Sequence, residues 1–410
     1  MLNQLNQSNH GSTHANRWNV LIVGGGPAGA AAAITPARQG RRVLIVEKQT
    51  TQGVKFGESL PPAAVRLVEA LLGSLDAIDL EAHGIHKTAG NISRWSSTQP
   101  DIADFFYTPT GFGLGIDRAR FDNALLQKAR DEGAILQTSS KFIQCRRDSE
   151  GWVVDMQSRS GREQYYADYL IDASGRRSVV TAGLGIARQQ QERLFALGRC
   201  FITHEDDNDG YTRIEATPQG WWYSNRLPSA ESETEQKVTR RMVVFHTDRD
   251  LEFVRQAATA DGFDRLLRQS PHINDYLQKH RYQPDGNIHG VDAGGERLDQ
   301  FAGDGWLAVG DAAQAYDPLS SQGITKGLTS GVMAGQLLGY ALNNLKQYGH
   351  RNADPPLFKR YVDEQERLWA GYLQQCNHYY RNQPNWSDQP FWSRRNRVSL
   401  GTTNIARKAP

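Results

Sequence analysis

The chain has 410 residues, of which 39% are apolar, enough to form a sizeable core in one composite domain or two interleaved ones. Lys and Arg number 47 against 45 Asp and Glu, which gives a formal net charge of +2. This balance gives no general attraction to nucleic acid or to a membrane surface, and no apolar run is long enough to predict a membrane span. We therefore predict a globular protein whose charge-based contacts are local.

The N-terminal segment and the cysteines indicate the cellular setting. Residues 1–16 contain no Lys, Arg, Asp or Glu and no apolar stretch typical of a signal peptide, so they predict a disordered leader. Three cysteines, Cys145, Cys200 and Cys376, are far apart and have no histidine at metal-ligand spacing. They predict three buried structural thiols, no metal site and a cytoplasmic location.

A glycine-rich turn between two apolar strands begins the folded part of the chain. Residues 18–23 predict the first strand, a helix follows the turn, and residues 42–47 predict the second strand. Gly24, Gly26 and Gly29 occupy the three glycine positions of a GxGxxG motif. The first glycine permits the tight turn, the second lets the backbone approach a pyrophosphate, and the third lets helix and strand pack closely. This arrangement predicts a dinucleotide-binding unit.

The residues beside this turn complete the predicted nucleotide site. Glu47 ends the second strand, where a carboxylate accepts hydrogen bonds from ribose hydroxyls. Ala28 lies within the glycine turn and Lys48 follows Glu47, so both are candidate cofactor contacts.

The rest of the chain alternates between strand-like and helix-like segments. In chain order, the pattern predicts a helix at 117–133, strands at 151–157 and 165–173, half-buried strands within 199–228 and 238–246, a helix at 249–269, a strand at 306–309 and a helix at 323–342. The predicted fold class is α/β, an α+β composite. We expect a discontinuous nucleotide-binding domain (17–90, 111–185 and 290–345), a β-rich substrate domain (91–110 and 186–289), and a C-terminal helical segment with a basic tail (346–410).

A second cluster of candidate residues lies in the stretch WLAVGDAAQAYDPLSSQGI, residues 306–324. Asp311 follows an apolar strand, at the sheet edge where α/β proteins bind ligands, and could hold the polyol hydroxyls of a long dinucleotide. The positive end of the next helix would stabilise the negative charge of a reduced flavin. These features predict FAD as the cofactor, contacted here by Gly310, Asp311, Pro318, Ser321, Gln322, Gly323 and Ile324.

Three further polar residues are candidates for the flavin site. Glu58 and Ser59 follow the second strand and are predicted to lie near the flavin ring, although an exposed turn is the alternative. Arg120 is predicted to pair with the pyrophosphate; its alternative is a surface ion pair with Asp117 or Asp122 on the same helix.

The aromatic and acidic candidates for the substrate site also have two interpretations each. Trp221, Trp222 and Tyr223 predict either a pocket wall that stacks on an indole, with Trp222 as the catalytic candidate, or part of a core. Asp317, which precedes a proline, either orients the substrate and relays a proton or only starts a turn.

Five motifs together resemble a known family. They are GGGPAG at 24–29, GESLPP at 57–62, DRARFDNALLQKA at 117–129, IDASGR at 171–176 and GDAAQAYDPLSSQG at 310–323. The set is similar to the p-hydroxybenzoate hydroxylase-type FAD monooxygenases, in the branch that contains the flavin-dependent halogenases, over roughly residues 18–400. The resemblance implies a Rossmann-like FAD-binding domain with an inserted β-sheet substrate domain and C-terminal helices.

The halogenases of this branch carry the activated halogen on a lysine near the flavin. Matching HKTAGNISRW on Trp95 places Asn91 at that position, and an amide cannot replace the amine. The halogenase WxWxIP signature is also missing, since residues 220–228 read GWWYSNRLP. Lys87, four residues before Asn91, keeps halogenation open as an alternative. Asn91 is nevertheless retained as a catalytic candidate.

Three segments narrow the resemblance further. GWWYSNRLP, DPLSSQGI and PFWSRR are most similar to the flavoprotein maturases of glycine oxidase, lysine ε-oxidase and quinohemoprotein amine dehydrogenase. The resemblance implies a protein substrate, the precursor of a tryptophylquinone-containing amine or amino-acid oxidase or dehydrogenase, in which a flavin hydroperoxide hydroxylates a tryptophan. The alternatives are a small-molecule aromatic hydroxylase or halogenase and a non-catalytic flavoprotein chaperone of an immature oxidase.

Two more features concern the partners. A second GxGxxG motif is missing, so the reductant is expected to be external or to bind transiently. After Asp388 the chain contains no acidic residue, while Arg394 and Arg395 follow Trp386 and Trp392. This basic, aromatic tail predicts either a docking surface for an acidic protein or a segment that packs on the flavin domain.

Overall fold

The computed structural model describes residues 16–48, 55–229, 238–348, 355–397 and 405–406. Residues 1–15 of the expected leader, the acidic loop at 230–237 and the basic residues 407–408 lie outside these ranges.

The strands of the described residues alternate with helices in the first half of the chain and cluster in the middle. They are β1 (Arg17–Val23), β2 (Val43–Val46), β3 (Ser59–Leu60), β4 (Ile85–Thr88), β5 (Gly90–Arg94), β6 (Asp101–Asp104), β7 (Gly113–Ile116), β8 (Ile135–Gln137), β9 (Lys141–Asp148), β10 (Gly151–Ser158), β11 (Gly161–Asp172), β12 (Arg188–Gln190), β13 (Leu194–Thr203), β14 (Tyr211–Thr217), β15 (Gly220–Arg226), β16 (Thr239–Asp248), β17 (Gln283–Asp292), β18 (Glu296–Leu298), β19 (Ala302–Gly303), β20 (Trp306–Ala308), β21 (Gln314–Ala315) and β22 (Ile405–Ala406).

The α-helices frame the sheets, and the two longest lie near the C-terminus. They are α1 (Pro27–Arg38), α2 (Pro62–Leu72), α3 (Arg118–Asp131), α4 (Val179–Gly183), α5 (Val254–Ala257), α6 (Ala260–Leu267), α7 (Pro271–Lys279), α8 (Gly323–Tyr348), α9 (Pro355–Arg381) and α10 (Pro390–Arg397).

An eight-stranded sheet contains the nucleotide-binding unit. Its main order is β19-β20-β11-β1-β2-β8, and β10 and β9 extend it from β11. The five central strands β20, β11, β1, β2 and β8 run parallel. Residues 43–46 are all buried, as expected for a parallel strand covered on both faces. The carboxyl ends of β1, β2, β11 and β20 therefore meet at one edge, where such sheets bind ligands.

A seven-stranded sheet, ordered β17-β13-β16-β15-β14-β5-β6, forms the second layer. Its strands pair antiparallel except for β14 and β5. Helices α5 to α7 cover one face, where Trp222, Phe245 and Phe263 pack in a buried cluster. The opposite face carries a second cluster with Trp221 and Trp392.

Helices α1 and α8 cross at close range because small residues line their contact. A Cβ atom placed on Gly331 would overlap the carbonyl oxygen of Ala28, and one on Gly335 would crowd that of Ala32. This close contact holds the start of α8 beside the glycine turn, so the two ends of the predicted cofactor site lie in one rigid unit.

The predicted fold class is confirmed, since a mixed α/β architecture holds a Rossmann-like unit and C-terminal helices. The single helix predicted at 249–269 is wrong: α5 ends at Ala257, and the Thr259 side chain caps α6 by accepting a hydrogen bond from the Gly262 amide at 3.2 Å. Cys376 is buried, but Cys145 and Cys200 are partly exposed, so the predicted burial fails for these two thiols. Within the described residues, no helix has the length and apolar character that a membrane span needs.

Candidate functional site

The glycine turn after β1 has the geometry of a phosphate cradle. Gly24 has φ of +115°, and a Cβ there would overlap the carbonyl oxygen of Ala173, so only glycine fits. A Cβ on Gly26 would meet no atom within 4 Å, so this position is open to a ligand. No side chain caps α1, whose first N–H groups therefore point into the open space.

One cavity of about 590 Å³ runs from this turn to the start of α8. It is lined by most of the residues predicted to contact the cofactor: Gly24, Gly26, Ala28, Glu47, Lys48, Glu58, Ser59, Gly310, Asp311, Pro318, Ser321, Gly323 and Ile324. Residues separated by up to 300 positions in the sequence thus surround one space, whose size is typical of ligand and cofactor sites.

Three of the residues predicted to bind the cofactor make contacts within the protein that define their positions. The Glu47 carboxylate accepts a hydrogen bond from the Gly25 amide at 2.8 Å, which fixes it at the nucleotide end. Gly29 does not line the cavity; it packs against Gly24 and Ala173, which is the close helix–strand contact expected of the third glycine. Gln322 donates to Gln375 at 2.6 Å and also lies outside the cavity lining.

Asp311 carries a negative charge into the middle of the cavity. Its side chain is 41% exposed, and the Lys326 ammonium lies 3.5 Å from its Oδ1. Burial alone would raise the pKa of Asp311, but Lys326, Arg176 and Arg188 hold it below its usual range. The carboxylate is therefore ionised at neutral pH and suited to accept hydrogen bonds from polyol hydroxyls.

The seven-stranded sheet and two loop residues, Phe56 and Tyr316, form an aromatic wall at the far end of the cavity. We define this wall as Phe56, Tyr223, Val244, His246 and Tyr316, all of which line the cavity. The His246 ring stacks on buried Trp221 with centroids 3.7 Å apart, and burial lowers the pKa of His246 to about 3. The imidazole is therefore neutral near pH 7, and the wall offers flat, uncharged faces to an aromatic group.

Glu58 is an ionisable group beside Tyr223 of this wall. Its side chain is 2% exposed, and burial raises the pKa of its carboxyl to about 7, against the opposing effect of the Arg118 guanidinium. A carboxyl with this pKa exchanges its proton near neutral pH, as expected of a functional group.

Arg120 does not reach the cavity, contrary to the sequence prediction. Its guanidinium donates to the backbone carbonyl oxygens of Glu81 at 2.8 Å and Ser229 at 2.6 Å. Arg118 lines the cavity instead, donating to the Phe56 carbonyl at 2.5 Å and pairing with buried Asp122. Residues two apart on a helix point about 200° from each other, so only one of the two arginines can face the cofactor.

Trp222 and Asn91 do not line the cavity either. Trp222 packs against Phe245 and Phe263 on the opposite face of its sheet, because neighbouring residues of a strand alternate faces. Asn91 lies in β5, paired with Thr212 and Ala103, and does not face the aromatic wall.

Lys87, the residue that kept halogenation open, points to the surface. Its side chain is 44% exposed and lies 3.5 Å from the Asp76 carboxylate. Its ammonium also lies over the ring of Phe112, 4.5 Å from the centroid.

Asp317 and the C-terminal tail belong to the core. The Asp317 carboxylate accepts hydrogen bonds from the Tyr380 hydroxyl at 2.7 Å and the Leu319 amide at 2.8 Å, and burial raises its pKa. Trp392 is fully buried, and Arg395 is buried against Asp248 at 2.7 Å. These two tail residues therefore cannot serve as exposed anchors for a partner.

Sequence reasoning missed several cavity residues. Arg176 lies in the quoted motif IDASGR, directly after β11, and the strand end was the available signal. His246 and Lys326 carried no signal, since a histidine inside a strand and a lysine in a first helical turn are ordinary features. His246 has a role because β16 packs along the cavity, whereas Lys326 lies behind the cavity lining and acts through its ion pair with Asp311.

Comparison with known proteins identifies the family. Residues 17–370 match the FAD binding domain family. The FAD-dependent oxidoreductase LodB of Marinomonas mediterranea is 26% identical over 389 residues, covering 93% of this chain and 98% of LodB. A tryptophan 2-halogenase of Chondromyces crocatus is 26% identical over 321 residues, 74% of this chain and 58% of that protein. The myxobacterial chondrochloren halogenase CndH shares the fold, with a TM-score of 0.79 and 24% identity, over 94% of this chain and 87% of CndH.

The cavity fits the cofactor that this family binds. Its open glycine cradle and uncapped helix suit a pyrophosphate, Glu47 suits a ribose and Asp311 suits a ribityl chain. FAD supplies the two-electron redox chemistry with oxygen, while the chain supplies binding, orientation and charge. The chain belongs to the FAD binding domain family and is an FAD-dependent oxidoreductase of the monooxygenase type, related to LodB and to the flavin-dependent halogenases.

Proposed function

We propose that this protein hydroxylates a tryptophan side chain of a precursor protein, on the way to a tryptophylquinone cofactor. The observation that carries the proposal is the aromatic wall, which closes the flavin end of the cavity with flat faces for an indole. The match with LodB over nearly the full length of both chains, and the maturase-like segments at 220–228 and 390–395, support a protein substrate.

Hydroxylation is favoured over halogenation by the placement of two residues. The family's halogen-carrying lysine has no counterpart at Asn91, and Lys87 is directed at Asp76 on the surface. The relation to a tryptophan halogenase still supports an indole as the ring that reacts. The second candidate function is therefore hydroxylation of a small aromatic molecule, for which the same wall would serve.

The test is the intact mass of a quinone-enzyme precursor from the same organism, incubated with the holoenzyme, a reductant and oxygen. We expect the precursor to gain the mass of inserted oxygen on one tryptophan, located by peptide mapping. A reaction without oxygen gas is the first control. A Lys87→Met variant in the presence of chloride or bromide is the second, and it should retain full oxygen insertion.

Three other outcomes would overturn the proposal. A halogenated precursor, with activity lost in Lys87→Met, would establish a halogenase. An unchanged precursor with flavin turnover stimulated by free indoles or phenols would establish a small-molecule hydroxylase. A precursor that binds tightly, keeps its mass and never stimulates turnover would indicate a flavoprotein chaperone.

A further inference from the structure

The Glu58 carboxyl is held at the cavity without a well-formed hydrogen bond to any described residue. Both of its oxygens are buried, and its neighbours are the Tyr223 hydroxyl and the backbone amides of Gly57 and Glu58. The backbone around it is fixed, since Asn225 donates to the Glu58 carbonyl at 3.0 Å and Arg118 donates to the Phe56 carbonyl at 2.5 Å. The unpaired carboxyl is therefore part of a rigid site rather than of a loose turn.

Tyr223 brings a second unpaired polar group to the same place. Its hydroxyl is buried without a hydrogen-bonding partner among the described residues, and it lines the cavity from β15. Burial raises the pKa of Tyr223 well above its usual value, and the charge of Glu58 raises it further. Both groups line the same part of the cavity, and the Tyr223 hydroxyl lies beside the Glu58 carboxyl.

A buried polar group without a partner is costly to the fold. Such a group loses its hydrogen bonds to water without gaining others in return, and the loss is largest for a carboxylate. Most buried polar groups in proteins are paired, so an unpaired carboxyl and an unpaired hydroxyl at one cavity indicate that a ligand completes them. The aromatic wall beside them indicates a flat ring that carries a hydrogen-bond donor.

We infer that Glu58 and Tyr223 form the subsite that binds the ring N–H of the substrate indole, with the ring lying against Phe56, Val244 and His246. This inference rests on the proposed function, because it assigns the tryptophan side chain to this place. An indole N–H donates only, so it requires an acceptor such as a carboxylate. In the bound state the carboxylate accepts this bond, and the Tyr223 hydroxyl donates to the second carboxylate oxygen.

The subsite explains how one ring would be chosen. A site built to hydrogen-bond a substrate N–H rejects an analogue without that group, because its own polar atoms then stay unpaired. An N-methylated indole has nearly the same shape and apolar surface but lacks the donor. It therefore separates the hydrogen bond from simple packing against the wall.

The experiment is a titration of the FAD-bound enzyme with N-acetyltryptophanamide and with its 1-methylindole analogue, followed by the change in flavin absorbance. We expect methylation to weaken binding at least about tenfold, the loss of one hydrogen bond to a charged acceptor. Glu58→Gln keeps an acceptor oxygen but removes its charge, so it should reduce this preference to about threefold, and Tyr223→Phe should reduce it partly. Glu81→Gln, an exposed glutamate that does not line the cavity, is the matched control and should keep the full preference.

Three results would overturn the inference. They are equal binding of the two probes to the wild type, no binding of either probe, and a flavin spectrum that Glu58→Gln changes before any probe is added. The last would assign Glu58 to the cofactor alone.

The precursor assay separates this inference from the proposed function. Oxygen insertion that persists at the wild-type rate in Glu58→Gln would remove the subsite and leave the function standing. If the enzyme discriminates between the two probes but does not modify the precursor, the subsite stands and the protein substrate is ruled out.

Discussion

Glu58 makes the stability of the protein depend on pH. Its pKa is about 7 in the folded protein and near 4.5 when exposed, so between these values the unfolded chain binds fewer protons. The free energy of unfolding should therefore fall as pH rises from about 5 to 8, by on the order of 2 kcal/mol from this group. In Glu58→Gln the side chain is neutral at every pH, and this part of the loss should disappear.

Urea unfolding at pH 5 and pH 8, at one saturating FAD concentration, measures this effect. The exposed variant Glu81→Gln should follow the wild type. Equal pH dependence in wild type and Glu58→Gln would show that Glu58 is ionised in the folded protein.

Asp311 makes a separate prediction about cofactor affinity. Replacing it by Asn removes a charged acceptor that faces the cavity and takes the counter-charge from Lys326, while Arg176 keeps its ion pair with Glu296. A hydrogen bond to a charged group contributes about 1.5–3 kcal/mol, so FAD should bind roughly 10- to 100-fold more weakly. Fluorescence titration of the apoprotein with FAD checks this value. Asp304→Asn, an exposed aspartate paired with Arg147, should bind FAD as the wild type does.

At the scale of elements, the sequence predicted the cofactor site better than the substrate site. Gly24, Glu47 and Asp311 lie at the ends of parallel strands, where a short motif fixes the position of each residue. Arg120 was chosen where Arg118, two residues earlier, lines the cavity. Of the three aromatic candidates Trp221, Trp222 and Tyr223, only Tyr223 lines it. The choice between such neighbours depends on which face of a helix or strand meets the cavity, and only tertiary packing sets that face.

Adding a single methyl group where α1 and α8 cross tests how closely the two helices must pack. Gly331→Ala would push a Cβ into the Ala28 backbone, which cannot move without shifting the glycine turn. Overpacking of this kind costs about 1–3 kcal/mol, so the midpoint of urea unfolding should fall. Gly371→Ala in α9 is the matched control, since its Cβ would meet no atom within 4 Å. That variant should gain about 0.4–1 kcal/mol, because alanine has the better helix propensity.

If both glycine variants lose stability, the loss in Gly331→Ala is not caused by the contact between α1 and α8. A gain in both would show that α1 and α8 have room to separate.

For the whole molecule, the C-terminal segment joins the two sheets rather than extending from them. Trp392 donates to the Thr217 carbonyl at 2.8 Å and packs 5.4 Å from Trp95, both in the region of the seven-stranded sheet. Asp317, in the loop before α8, is bonded to Tyr380 of α9. The aromatic tail in the sequence therefore marks a core contact, and its composition alone could not separate this from a docking surface.

Because these C-terminal residues are buried, a C-terminal deletion should destabilise the fold as well as remove any contact with a partner. Truncation after Ser387 removes Phe391, Trp392 and Arg395 from the buried cluster and leaves Asp248 without its buried partner. We expect loss of stability and of bound FAD together, rather than loss of a partner contact alone. The point variant Trp392→Ala should cost about 3–5 kcal/mol, measured by urea unfolding. Arg394→Ala, whose ion pairs with Asp248 and Asp250 are half exposed, should cost less than about 1 kcal/mol. A truncated protein that keeps its FAD and its unfolding midpoint would show that the tail is peripheral, and would reopen its role as a docking surface for the precursor.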